Sequence, residues 1–358
     1  MRILLLTTRL NPGGVSRYIL TLAQGLKERG HSVWIACSKN SLWLELLKKE
    51  NIPYKIIPID TKSICSPKII FSCFALLSFL RKEKIEILHA NTRVTQFLSY
   101  LIYKFTGIPY ISAFHGFYRK SLERRLLKFE GVQTIAVSNA VKEHLIKDLK
   151  IKENKINVVY NGVRLEEFTG HKYTKKDFGF KDSDFVVGLL GRISEEKGHF
   201  IAASAIKLLS YNYNNVYLAI SGKGKLEKEF KTFIESVGME EKVKFFEIEA
   251  KHFLDIPDML VAPSKREGFG YAIVEAFIKK VPVAGFNTGG IAEIIKDREN
   301  GLLFYEYNEL FLKQTIEKIM IDKGLRNRII EKAHSSALMF TMEKMALNTE
   351  KVYAQVLS

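Results

Sequence analysis

Apolar and polar residues follow each other along the chain in a pattern that predicts strands and helices in turn. The stretch RILLLT (2–7) has an apolar centre, as a strand buried on both faces requires. Val15, Tyr18, Leu22 and Leu26 then recur at helical spacing until Gly30. The same reasoning predicts further strands, separated by helical patterns, at 31–37, 86–90, 109–116, 134–138 and 156–162. This alternation is typical of a doubly wound parallel sheet.

The pattern then begins again, which predicts a second domain. Strands are expected at 184–192, 216–224, 243–248, 259–264 and 281–286, and the chain reads as helical after residue 305. We therefore expect Rossmann-like α/β domains at 1–165 and 166–335, and a helix at 336–358 that packs back on the first. In open α/β sheets ligands bind at the carboxyl ends of the strands, so both sheets should face a central cleft.

Length and composition fit a two-domain globular protein. The 358 residues are 47% hydrophobic and 26% charged. Three cysteines without metal-ligand spacing favour a reducing compartment such as the cytoplasm. The N-terminal stretch has four consecutive apolar residues, too few for a signal-peptide core. The longest apolar stretch, residues 69–80, is too short to span a membrane and predicts a packed helix, with an interfacial segment as the alternative.

The positive charge is confined to one half of the chain. Residues 1–165 hold 27 of the 55 Lys and Arg but only 11 of the 39 Asp and Glu, so this half carries the whole net charge of +16. The remaining 28 basic and 28 acidic residues cancel. Such asymmetry predicts that the first domain faces a polyanion, whether membrane, nucleic acid or acidic glycan.

Candidate anion ligands follow the predicted strands. In GLLGRISEEKG (188–198), Arg192 and Lys197 flank a short acidic loop and suit a diphosphate, although surface charge on an ordinary loop would look the same. Gly13 and Gly14 in NPGGVSR, and Gly290 in NTGGIAEII, could let a ligand approach a helix start or could serve turn geometry alone. The full G-x-G-x-x-G pattern is absent, which weakens a NAD-binding interpretation. His115, after a strand in FHG, is either structural or part of the site.

One stretch makes these motifs specific. PSKREGFGYAIVEA places Glu267 and Glu275 eight residues apart, with GR(x)4KG before it and TGG(x)2EII after it. In this order the motifs resemble the retaining glycosyltransferases of family 4, also called glycosyl transferases group 1, which have the GT-B fold and include enzymes of bacterial lipopolysaccharide and polysaccharide synthesis. The resemblance covers essentially the whole chain.

The resemblance implies a role for each motif residue. Glu275 would bind the ribose hydroxyls of a nucleotide-sugar, and Glu267 would lie beside the hydroxyls of the donor sugar. The amides of Phe269, Gly270 and Tyr271 would meet the sugar and diphosphate, while Arg192 and Lys197 would stabilise the leaving diphosphate. The donor-binding set implied is Gly13, Gly14, Arg192, Lys197, Glu267, Phe269, Gly270, Tyr271, Glu275 and Gly290; His115, Arg192, Lys197 and Glu267 are the catalytic candidates.

Family members of this kind use such cations in place of a divalent metal, so no metal or other cofactor is expected. The DSD triplet at 182–184 is interpreted as a turn. The sequence departs from the common pattern at Ser16, where many relatives carry an acid, and at HAN (89–91), which lacks a second histidine. The segment from 243 to 264 is also shorter than usual. The first two departures put the acceptor pocket in doubt.

The function expected is transfer of a hexose-type sugar, with a UDP-sugar favoured as donor, to a lipid-linked or oligosaccharide acceptor. A sugar-nucleotide epimerase with two Rossmann-like halves is the alternative, and a basic nucleic-acid-binding protein is a weaker one. The basic segment 118–128, with Arg119, Lys120, Arg124, Arg125 and Lys128, predicts attachment to an anionic membrane on the cytoplasmic face, or else a solvated helix face.

Overall fold

The chain divides into two compact units. The computed structural model describes residues 1–119, 122–170 and 172–358. At residues 122 and 123 it describes the backbone but not the side chains. Unit 1 comprises Met1–Gly162 and Thr341–Ser358, and unit 2 comprises Val163–Phe340. The chain therefore leaves unit 1 just before the boundary expected at 165 and re-enters it after the one expected at 335. The polar stretch 164–184, whose lack of periodicity is typical of a linker, belongs to unit 2.

Unit 1 contains a seven-stranded sheet. All pairings are parallel, in the order β3-β2-β1-β4-β5-β6-β7. Ile3, Leu4, Leu5 and Leu6 are fully buried, as expected for a strand covered on both faces. The strands are β1 (Arg2–Leu6), β2 (Ser32–Cys37), β3 (Tyr54–Ile56), β4 (Ile87–Ala90), β5 (Tyr110–Phe114), β6 (Gln133–Ala136) and β7 (Ile156–Val158).

Helices cover this sheet and return the chain between its parallel strands. They are α1 (Gly14–Glu28), α2 (Leu44–Lys49), α3 (Lys68–Lys82), α4 (Arg93–Thr106), α5 (Leu122–Leu126), α6 (Asn139–Lys147) and α14 (Met342–Leu357). Helices α3 and α4 pack side by side over the core cluster that contains Leu4, Leu6 and Leu88. Helix α14 packs against α1, which brings the C-terminal residues into the first unit.

A buried histidine ties α14 to the sheet. His89, at the end of β4, is fully buried, and its Nδ1 lies 2.6 Å from the Tyr353 hydroxyl of α14. Its Nε2 lies 3.3 Å from the Tyr18 hydroxyl of α1. Burial, with the neighbouring His115, lowers the pKa of His89 to about 3, so the ring is neutral at physiological pH. His89 is therefore a structural link in the fold.

Unit 2 contains a six-stranded parallel sheet in the order β10-β9-β8-β11-β12-β13. The strands are β8 (Phe185–Leu190), β9 (Val216–Ser221), β10 (Val243–Phe246), β11 (Met259–Ala262), β12 (Val283–Phe286) and β13 (Leu302–Phe304). The helices are α7 (His199–Ser210), α8 (Glu227–Ser236), α9 (Ala250–Phe253), α10 (Tyr271–Ile278), α11 (Gly289–Ile294), α12 (Glu309–Ile321) and α13 (Lys323–Ala337). Two parallel-sheet α/β units were predicted, and that fold class is confirmed.

A buried ion pair fixes the start of unit 2 against α10. Lys279, directly after α10, lies with its Nζ 2.6 Å from Oδ1 of Asp255, and both side chains are almost fully buried. Asp255 also accepts hydrogen bonds from the backbone N–H groups of Lys172 and Tyr173. Burial alone would raise the pKa of Asp255, but the hydrogen bond and charge of Lys279, together with the two backbone N–H groups, outweigh it and leave the pKa lowered. Both charges are thus compensated inside the protein, as buried charges must be.

The link through His89 predicts a stability effect. Tyr353→Phe keeps the ring but leaves Nδ1 of a buried imidazole without its partner, which should cost about 1–3 kcal/mol of unfolding free energy. The measurement is the urea unfolding midpoint of the variant against wild type. Tyr211→Phe, at a side chain 71% exposed, is the control and should not shift the midpoint. Equal midpoints for all three proteins would contradict the structural role of His89.

Candidate functional site

The strand order of unit 2 brings two of the predicted motifs together. Strands β8 and β11 are neighbours and run parallel, so the loops that follow them leave the sheet at the same edge. The first loop, residues 191–198, carries Arg192 and Lys197, and the second, residues 263–270, carries Glu267. Sequence reasoning placed both loops after strands, and the structure makes them adjacent.

A charged pair joins these two loops. The ammonium of Lys197 is hydrogen-bonded to Oε2 of Glu267, although the residues are 70 positions apart. The Ser264 hydroxyl lies 3.4 Å from the same carboxylate oxygen. The two charged side chains remain 29% and 20% exposed, so they are paired but still reachable from solvent. Their geometry offers both a cation and a hydrogen-bond acceptor to a ligand at this edge of the sheet.

The loop after β12 completes this edge. The Gly290 N–H donates to the Glu267 carbonyl oxygen at 2.9 Å, and the Thr288 hydroxyl lies 3.2 Å from the Lys265 carbonyl oxygen. A Cβ on Gly290 would lie 2.5 Å from the carbonyl oxygen of Phe269, a separation that real side chains do not show. Gly290 is therefore required for the close approach of α11 to the 263–270 loop, and its role in donor binding stays a prediction.

Helix α10 begins directly after this loop. Its N-terminal cap is Gly270, with φ of 116°, and Tyr271 is its first residue. Glu275 lies one turn further on, on the same face as Tyr271, and is only 1% exposed. Phe269 is buried against the Tyr271 and Phe340 rings. The structure thus places Glu275 inside the protein, and its role as a ribose ligand stays a prediction.

Arg192 and His199 lie at the two ends of the β8 loop. Arg192 is exposed, whereas His199, the first residue of α7, is fully buried with its ring against Phe230. Burial lowers the pKa of His199 to about 4, so the imidazole is neutral beside the cationic Lys197. Sequence reasoning did not select His199. The sequence feature that could have indicated His199 is its position directly after Lys197 and Gly198.

In unit 1 the corresponding edge holds His115. Its Nε2 lies 3.1 Å from Oδ1 of Asn91, and the amide nitrogen of Asn91 donates to the Leu6 and His89 carbonyl oxygens. Because the Asn91 oxygen is the acceptor, His115 carries its proton on Nε2 and leaves Nδ1 unprotonated. Burial lowers the pKa of His115 to about 3, so this neutral tautomer persists at physiological pH.

A second set of side chains, which sequence reasoning missed, holds the His115 loop. The His115 N–H donates to the Tyr118 hydroxyl, and the Tyr118 N–H donates to Nε2 of His144 at 2.9 Å. Nε2 of His144 is then an acceptor, so its proton is on Nδ1, 2.8 Å from Oδ2 of Asp148. The only sequence signal was the His-x-x-x-Asp spacing on α6.

The two glycines of the NPGG motif lie at the start of α1. Gly13, with φ of 152°, precedes Gly14, and the donor role of both stays a prediction.

The predicted basic segment is only partly free to meet a partner. Arg119 and Arg125 are exposed, but the Arg124 guanidinium lies 5.1 Å from the centre of the Tyr118 ring. The Lys128 ammonium donates to the Lys150 carbonyl oxygen at 2.6 Å. Lys120 lies outside the described residues. Arg124 and Lys128 therefore also stabilise the local fold.

The DSD triplet takes part in local contacts. Asp182 lies 2.7 Å from the Lys176 ammonium, and Asp184 accepts a hydrogen bond from the Lys181 N–H at 2.8 Å. Both contacts fit the turn that was expected before β8.

Comparison with known proteins identifies the family. Residues 12–167 match the model described as Glycosyltransferase Family 4, and residues 172–336 match the model described as Glycosyl transferases group 1. The chain belongs to glycosyltransferase family 4. The transferase is 25% identical over 347 residues to the UDP-Gal:alpha-D-GlcNAc-diphosphoundecaprenol alpha-1,3-galactosyltransferase of Escherichia coli, which covers 88% of this chain and 89% of that protein.

Solved structures show the same fold. A glycosyltransferase from Rickettsia africae superposes with a TM-score of 0.87 at 24% identity, covering 100% of this chain and 98% of the other. The Anabaena protein Alr3699/HepE, solved in complex with UDP-glucose, gives a TM-score of 0.86 at 20% identity, covering 99% and 100%. The predicted GT-B fold of the transferase is thereby confirmed. None of its described helices is both long and apolar enough to cross a membrane.

The pair between the two loops predicts a kinetic effect. Lys197→Met keeps the apolar stem but removes the cation that would face a leaving diphosphate, so turnover should fall roughly 100-fold or more. Donor affinity should change much less, because the charge matters most as it develops in the transition state. The measurements are kcat from nucleoside diphosphate release and donor Kd from calorimetry. Lys231→Met, at an exposed pair on α8, is the control. An unchanged kcat in Lys197→Met would contradict the assignment.

Proposed function

We propose that the transferase moves a hexose-type sugar from a UDP-sugar to a lipid-linked or glycan acceptor, with retention at the anomeric carbon, in the synthesis of lipopolysaccharide or another cell-surface polysaccharide. The observation that carries the proposal is the Lys197–Glu267 pair at the shared edge of β8 and β11. It provides opposite charges for the two chemical ends of an activated sugar, the diphosphate and the hydroxyls.

The donor is assigned to unit 2. Lys197 and exposed Arg192 would neutralise the charge that builds on the departing diphosphate, so no metal ion is required in the proposal. Glu267 would accept hydrogen bonds from sugar hydroxyls, and the amides of Phe269, Gly270 and Tyr271 lie where the backbone turns into α10. Glu275 would bind the ribose. The UDP-glucose in the similar Anabaena structure supports the choice of a UDP-sugar.

The proposed transfer proceeds on one face of the sugar. The bond from the anomeric carbon to the phosphate oxygen breaks, and UDP leaves with the electron pair. The acceptor oxygen then bonds to the same face, and its proton passes to an oxygen of the departing phosphate. A double displacement would need a carboxylate nucleophile, yet residues 87–122, around His115, contain no Asp or Glu. Neutral His115 can instead accept a hydrogen bond from a sugar hydroxyl through Nδ1.

The acceptor is assigned to unit 1 and to a membrane-bound carrier. The Escherichia coli relative is named for a diphosphoundecaprenol-linked acceptor, which supports an acceptor of that chemical class. The positive charge of residues 1–165 suits the anionic cytoplasmic face of a plasma membrane, where cations contribute on the order of 1 kcal/mol each. Among the described side chains of segment 118–128, exposed Arg119 and Arg125 are well placed for such contacts.

The test is a transfer assay in the presence of EDTA with a panel of UDP- and GDP-sugars and a lipid-diphosphate-linked sugar acceptor. UDP release should require the acceptor and survive chelation, and NMR of the product should show the anomeric configuration of the donor. An inverted product would contradict retention, and complete loss of activity with EDTA would contradict the metal-independent mechanism. Conversion of the donor without acceptor would instead indicate a sugar-nucleotide epimerase.

A further inference from the structure

Helix α3 of unit 1 is apolar on two faces, but only one of them is covered. Ile69, Cys73, Leu76 and Leu80 are buried in the core cluster beneath it. On the outer side Ile70, Phe71 and Phe74 are 56%, 64% and 68% exposed. Residues i, i+1 and i+4 of a helix lie on one side, so these three form a single apolar surface, here called the α3 patch. A helix that is apolar all round is ordinarily buried all round.

The charged side chains of α3 itself are all cationic, and the acidic residues on either side of it, Asp60 and Glu83, are paired with Arg9 and Arg2. Residues 61–82 contain no Asp or Glu, and neither do residues 87–122, which include all of α4. Arg81 and Lys82 at the end of α3 are exposed, and so is Lys68 at its start, whose ammonium also donates to the Asp60 carbonyl oxygen at 3.1 Å. A helix of this length spans about 22 Å, so cations stand at both ends of the helix, and the α3 patch lies nearer to Lys68.

The neighbouring helix α4 also exposes a cationic and an aromatic side chain. Helix α4 packs beside α3 and ends with exposed Lys104 and with Phe105, which is 75% exposed. On the side of the basic segment, Phe97 and Tyr100 of α4 contact the Phe129 ring. Arg93 of α4 also lies with its Nη1 3.4 Å from the Lys128 carbonyl oxygen, so α4 contacts both α3 and the end of the basic segment within one unit.

This composition selects one kind of occupant. A second copy of the chain, related by two-fold symmetry, would place the patch and its cations against the same cations, and like charges in an interface are unfavourable. An anionic bilayer satisfies both components, because acyl chains receive the aromatic side chains and headgroup phosphates receive Lys and Arg. The apolar and cationic parts of α3 are arranged as in helices that lie in the membrane interface.

We propose that α3 is a membrane-docking helix that inserts Ile70, Phe71 and Phe74 into an anionic leaflet, with Lys68, Arg81 and Lys82 on its headgroups. The inference rests on the proposed function and deepens its membrane attachment, which there depends on positive charge alone. It gives that attachment an apolar component, which salt does not screen.

The test is co-sedimentation of the full chain with vesicles of phosphatidylglycerol and phosphatidylcholine. Wild type should bind, and Phe71→Gln/Phe74→Gln should lower the partition coefficient at least tenfold while keeping the wild-type circular dichroism. The matched control is Tyr211→Gln/Ile321→Gln, two side chains of unit 2 that are 71% and 63% exposed, and it should bind like wild type. High salt should weaken wild-type binding without abolishing it.

Three outcomes would overturn the proposal. The first is undiminished binding of the α3 double variant alongside loss of binding in Arg119→Glu/Arg125→Glu, which would leave attachment to the basic segment. The second is equal binding of wild type to pure phosphatidylcholine. The third is a wild-type dimer in analytical ultracentrifugation that the α3 variant abolishes, which would assign the patch to a second copy.

A separate measurement distinguishes this proposal from the proposed function. UDP release with a detergent-solubilised acceptor, without vesicles, should be the same for wild type and the α3 double variant. Failure of transfer in both proteins would contradict the proposed function but not the docking helix. Loss of vesicle binding with transfer retained in the variant would support both.

Discussion

The Lys197–Glu267 pair depends on a constraint of the sheet, namely that β8 and β11 are parallel neighbours. Parallel strands end at the same edge, so residues 70 positions apart in the chain meet there without any further device. The Gly290 contact then adds the loop after β12 to the same edge. Three loops on one rigid sheet therefore hold a cation and a carboxylate in fixed relation, which is what a charged, hydroxyl-rich ligand requires.

Unit 1 uses burial rather than charge to prepare its polar groups. His89 and His115 both have pKa values near 3 because they are desolvated, so this edge of the sheet carries neutral imidazoles within a unit that is strongly positive on its surface. His89 supports the fold through Tyr18 and Tyr353, whereas His115 keeps an unprotonated Nδ1. Surface cations and neutral interior histidines can thus serve different ligands within the same unit.

Sequence reasoning recovered the elements whose apolar pattern is long and left out those that are short. It predicted β1 and β8 as strands, but it missed β3 and β13, which have three residues each and too few positions to show a period. β7 is equally short, but it was predicted because the apolar residues continue to Val159. It also predicted the helix at 69–80. It could not tell how much of that helix is covered, since coverage depends on which strands and helices lie beside it.

In the candidate site, the motif residues were predictable and their contacts were not. Motif order placed Arg192, Lys197, Glu267 and Gly290 after strands. The parallel sheet then brings the loops after those strands to one edge. The contacts of His115 were not predictable, because Asn91 meets its ring from the loop after β4, and Tyr118, which bonds its N–H, is itself held by His144 of α6. A count of charges also could not show that Arg124 and Lys128 make local contacts.

Methyl NMR of isoleucine-labelled protein during titration with UDP-glucose tests most directly whether the donor site is the loop edge of unit 2. Ile193 lies in the β8 loop, and the δ1 methyls of Ile273 and Ile294 lie beside Gly270. The account predicts saturable shifts of these three methyl signals, with Ile316 and Ile319 in the core of the same unit unaffected. Saturable shifts confined to isoleucines of unit 1, with Ile193, Ile273 and Ile294 unchanged, would contradict it.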